Sequence, residues 1–73
     1  MSKLPQVSGR ELVGALQKIG FTVRRQQGSH MILRRDDPHA QTVVPDHRQI
    51  DRGTLRAILR QVDISVERLI ELL

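Results

Sequence analysis

The spacing of apolar residues changes twice along this 73-residue chain, and that change limits which architectures it can adopt. Leu12, Leu16 and Ile19, with Ala15 beside them, fall on one face of a helix. Ser8 is an N-cap residue, Glu11 completes a capping box three positions on, and Val7 with Leu12 forms a hydrophobic staple. Gly20 supplies the left-handed residue that closes many helices. A helix is expected over Gly9 to Ile19. From Phe21 the period drops to two: Phe21, Val23 and Arg25 alternate with Thr22, Arg24 and Gln26, the pattern of a half-buried strand. Gln27-Gly28-Ser29 reads as a tight turn. A second strand over His30 to Arg35 puts Met31 and Leu33 on one face and His30, Ile32 and Arg34 on the other. Asp36-Asp37-Pro38-His39 reads as another turn, and Gln41 to Val44 as a short third strand ending at Pro45.

The helical period then returns. Asp51 can cap a helix in which Leu55, Ile58, Leu59 and Val62 follow the i, i+3, i+4, i+7 template. Ser65 can cap a short last helix through Leu72, with Ile64 and Leu69 as a second staple. Short connections between successive strands favour an antiparallel meander. The expected class is α+β: a helix, a three-stranded antiparallel sheet, a helix and a short C-terminal helix, with the helices on one sheet face and the other face open. The order of elements resembles that of the double-stranded-RNA-binding domain. No repeat or linker divides the chain, so residues 1–73 are read as one domain, with 1–7 a loose end.

A chain this short builds only a modest core, and with Phe21 the one aromatic, that core must be aliphatic. The absence of cysteine excludes disulfide staples, thiolate ligands and thiol nucleophiles. No apolar run resembles a signal peptide or a membrane span, so a soluble, cytoplasmic protein is expected. Charge is distributed unevenly: residues 1–35 carry a net +6 and residues 36–73 a net −2, and ten of the twelve cations are arginine. Arginine grips phosphate bidentately, so this bias suits a nucleic-acid surface as well as it suits simple solubility.

His30 is the residue best suited to chemistry. It follows Gly28-Ser29 at the start of the middle strand, on the face opposite Met31 and Leu33. Imidazole can give and accept protons near neutral pH. Gly28 permits close approach of a ligand, and Ser29 offers a hydroxyl and an amide to a phosphate oxygen. Three motifs occur in order: Gly28-Ser29-His30, Val44-Pro45-Asp46-His47 leaving the third strand, and Arg52-Gly53-Thr54-Leu55-Arg56-Ala57-Ile58-Leu59-Arg60-Gln61 opening the long helix. Together, over about residues 8–72, they resemble the HicA toxins, messenger-RNA interferases of bacterial toxin–antitoxin pairs.

That resemblance implies a toxin that cleaves mRNA and inhibits translation, with His30 as the catalytic histidine, Gly28 and Ser29 as its motif neighbours, and a HicB-type antitoxin as partner. It implies no cofactor and no membrane. The three histidines His30, His39 and His47 fit no common ligand spacing, so a metal-independent route is expected, in which the RNA 2′-hydroxyl attacks the adjacent phosphate and His30 moves a proton. Arg24, Arg34 or the ridge of Arg52, Arg56 and Arg60 could bind the phosphate. His47 is a second proton-transfer group or a phosphate contact or, more simply, a loop residue, and His39 belongs to a turn. The rival readings are an RNA-binding module that does not cut, and an adaptor whose basic face meets only protein.

Overall fold

A computed structural model describes residues 3–73. Its elements follow the order α1 (Gly9–Gln17), β1 (Thr22–Gln27), β2 (His30–Asp36), β3 (His39–Pro45), α2 (Arg52–Val62) and α3 (Val66–Leu72). The strands form one antiparallel sheet in the order β1-β2-β3. This is the expected α+β architecture.

Local signals and packing agree at each helix. Ser8 and Glu11 form both halves of the capping box at 3.0 and 2.9 Å, Asp51 accepts from the Thr54 amide at 3.0 Å, and Ser65 accepts from the Arg68 amide at 3.0 Å. Leu12, Val13, Ala15 and Leu16 of α1 meet Leu55, Ile58, Leu59 and Val62 of α2 in one core, which Leu69 and Leu72 of α3 extend. The sheet contributes Met31, Leu33 and Val44 to that core. Thr42, the one buried polar residue among the described residues, donates its hydroxyl to Gln61 on α2 at 2.6 Å and is thereby satisfied. Because strand side chains alternate, His30, Ile32 and Arg34 of β2 face the open side.

Four expectations need correction. Helix α1 stops at Gln17, two residues early, because the chain tightens through Lys18 and Ile19 before turning at Gly20. β1 is exposed along its whole length and is not half-buried. It is an edge strand, and its register slips between Val23 and Arg25. Phe21, 1% exposed, lies in the core ahead of the strand, with the Arg35 guanidinium 4.6 Å from its ring centre. β3 is longer than expected and begins at His39, leaving only Asp37-Pro38 between the strands. Nor are residues 1–7 loose throughout: Leu4 and Val7 are buried, and the Val7 carbonyl accepts from the Ile50 amide at 2.9 Å. Met1 and Ser2 lie outside the described residues.

Candidate functional site

His30 is exposed and opens β2, flanked in register by Gln27 of β1 and Pro45 of β3. The preceding turn is only Gly28-Ser29, and Gly28 takes a φ of +57°, a left-handed conformation that costs glycine little and other residues more. Two hydrogen bonds fasten this turn. The Ser29 carbonyl accepts from the Asp46 amide at 2.6 Å, and the Gly28 carbonyl accepts from the Gln26 side chain at 3.0 Å. The Asp46 carboxylate in turn accepts from Gln26 at 3.3 Å and from the Nε and Nη2 of Arg10 on α1 at 3.2 and 3.3 Å. Gly9 packs so closely against the Pro45 carbonyl that a Cβ there would overlap it, and the Gly9 amide donates to the His47 carbonyl at 2.9 Å. The Gly28-Ser29 turn, the exit from β3 and the start of α1 are thus bonded into one end of the molecule.

The other proposed contacts divide into groups. His47 is exposed in the loop two residues beyond Pro45 and belongs to this end. Arg34 shares the open face with His30 but stands four residues along the strand, about 13 Å away at the usual rise. Arg34 and Arg24 both bind the Asp36 carboxylate, at 2.8 and 3.1 Å, so the two cations already share an internal anion. Arg52 and Arg56 are exposed on α2, the helix packed against the sheet's other face, and neither has an ion-pair partner among the described residues. The ridge runs from Arg52 to Arg60 over about 12 Å. His39 is an exposed strand residue opposite Asp36.

Two cations near this end were not among the expected site residues. Arg10 reaches Asp46 across 36 positions of sequence, a pairing that no local pattern announces. Arg25 stands opposite Ile32, on the same face as His30 and one row from it. Among the described residues no three of His, Asp and Glu come together as metal ligands, and no helix is long and apolar enough to cross a membrane.

Two carboxylates titrate abnormally. Hydrogen bonds from the Thr54 hydroxyl at 2.7 Å and the Thr54 amide hold Asp51 below the usual carboxylate range. Arg34, by hydrogen bond and charge, does the same for Asp36, helped by Arg24. With folded values below the unfolded one of about 3.9, the unfolded chain takes up these protons first as pH falls. Their stabilisation is therefore complete only above about pH 5, and it is lost as pH drops past the unfolded value and through the folded ones. The melting temperature of the parent is expected to fall below about pH 5, and Asp51→Asn to flatten that decline. Identical acid limbs for the two proteins would contradict this assignment.

The family model for the HicA toxin of bacterial toxin–antitoxin pairs matches residues 9–64, from the first residue of α1 to just past the end of α2. A search of the curated proteins finds no match. The matched span takes in the Gly28-Ser29-His30 turn, the loop carrying Asp46 and His47, and the whole basic ridge of α2. The family implies a cognate antitoxin. On that match, and with the α+β fold that carries it, this chain belongs to the HicA family of bacterial toxin–antitoxin toxins.

Proposed function

We propose that the chain is an endoribonuclease, an mRNA interferase that needs no metal ion, and that His30 is its general acid or base. The observation that carries this reading is the exposed imidazole of His30 on the open sheet face, at the head of a turn tied to α1 and to the exit of β3. In the reaction the 2′-oxygen of the RNA bonds to the adjacent phosphorus and the bond to the 5′-oxygen breaks. The 2′-hydroxyl gives up a proton and the leaving 5′-oxygen gains one. His30 performs one of these transfers, and water completes the other. Gly28 lets the RNA backbone come close, Ser29 donates to a phosphate oxygen, and His47 contacts a neighbouring phosphate. Arg52 and Arg56 add attraction for the polyanion.

The one benzene ring in the chain, that of Phe21, is buried, so it offers no platform on which bases could stack. Binding through phosphates tolerates many sequences and suits a toxin acting on mRNA in the cytoplasm. A HicB-type antitoxin with acidic character would neutralise the basic half of the chain and cover His30. End-group analysis of the fragments tests the chemistry directly. With a 5′-labelled RNA and a chelator present, the upstream fragment is expected to carry a 2′,3′-cyclic phosphate. Fragments ending in a 3′-hydroxyl would rule the mechanism out, as would RNA left intact.

A further inference from the structure

We infer that Arg25 binds the phosphate on which His30 acts, and that a β-bulge in β1 turns it to that position. The inference rests on the ribonuclease reading of His30. In an unbroken antiparallel ladder, Val23 opposite Leu33 would be followed by Arg24 opposite Ile32, Arg25 opposite Met31 and Gln26 opposite His30. Met31 and Leu33 point into the core, so Arg25 would face the helices. The observed register instead skips Arg24: Leu33 pairs with Val23, and the next residue, Ile32, pairs with Arg25. One extra residue in β1 therefore moves Arg25 and Gln27 to the open side, with Gln27 directly across from His30. Bulges commonly sit beside functional sites and re-aim a side chain in this way.

Arg25 is then the diagonal cross-strand neighbour of His30, a separation of about 7–8 Å between backbones that long side chains span. It is exposed and has neither a hydrogen bond nor an ion pair with the described residues. That distinguishes it from Arg24 and Arg34, which share Asp36 at the far end of the same face. As the 2′-oxygen joins phosphorus, charge builds on the two non-bridging oxygens. A guanidinium keeps its charge at any working pH and can donate two parallel N–H bonds to that pair. Arg25 therefore acts as the electrostatic partner of the proton-transferring imidazole.

Single-turnover cleavage of a saturating, defined RNA tests this. Arg25→Gln is expected to lower the rate constant about 10²- to 10³-fold, the usual effect of removing one donor to a developing oxyanion. Arg68→Gln makes the same change of charge on α3 and is expected to cleave like the parent. Arg25→Lys is expected to recover only part of the loss, because the charge returns without the paired donors. Circular dichroism of each variant confirms that the fold is kept. A parent that cleaves RNA together with an Arg25→Gln variant no slower than Arg68→Gln overturns the assignment of Arg25 and leaves His30 standing. A parent that leaves RNA intact overturns both.

Discussion

Alanine in place of His30 is expected to slow RNA cleavage about 10²- to 10⁴-fold, the range over which one positioned proton-transfer group acts. In barrier terms this is about 3–5 kcal/mol. The fold is expected to survive, because His30 is exposed and the hydrogen bonds that hold its turn come from Gln26, Ser29 and Asp46. Exposed substitutions of this kind usually change stability by no more than about 0.5 kcal/mol. RNA affinity should remain, since phosphate contacts by arginine do not require the imidazole. The variant is therefore expected to bind RNA, fail to cut it and lose its toxicity in cells. A His30→Ala chain that is as toxic as its parent would instead mark the protein as a binding module.

Leu55→Ala acts through stability and should have the largest effect on the fold. Leu55 is fully buried in the first turn of α2, within the core built from all three helices and the sheet. Truncating a leucine in such a place costs about 2–5 kcal/mol, from lost transfer energy and the cavity left behind. A domain of 73 residues has about 4–11 kcal/mol to lose. Urea unfolding followed by circular dichroism is expected to show the midpoint falling by a large fraction, with an unchanged slope. Loss of less than about 1 kcal/mol would mean that the core is not packed around α2 as described.

The sequence announced what is decided locally. Ser8, Asp51 and Ser65 are caps for backbone groups three residues away, and each holds a helix start in the folded chain. The apolar positions Met31 and Leu33 fixed which face of β2 turns inward, and with it the exposure of His30. What alternation alone misplaced was β1. Reading Phe21, Val23 and Arg25 as one face of a half-buried strand assumed an even register, whereas pairing with β2 inserts Arg24 as an extra residue. Val23 stays on the helix side yet is 40% exposed at the sheet edge, and Arg25 goes to the other face. A bulge is set by the partner strand, so the strand's own residues do not spell it out. The same holds for Arg10 with Asp46 and for Val7 with Ile50, contacts that exist only once the chain has folded back on itself. Arg24 and Arg34 were legible as cations, but the carboxylate of Asp36 between them was not legible as their shared partner.

On the ribonuclease reading, RNA is bound where the Gly28-Ser29-His30 turn, the exit of β3 and the start of α1 converge. Nuclear magnetic resonance of the ¹⁵N-labelled chain, titrated with an oligonucleotide whose 2′-hydroxyls are replaced by hydrogen so that it cannot be cleaved, tests this most directly. Amide shifts are predicted to concentrate at residues 9–10, 25–30 and 45–48. Shifts confined to the α2 ridge at 52–60, with the amides of Ser29 and His30 unmoved at saturation, would contradict it.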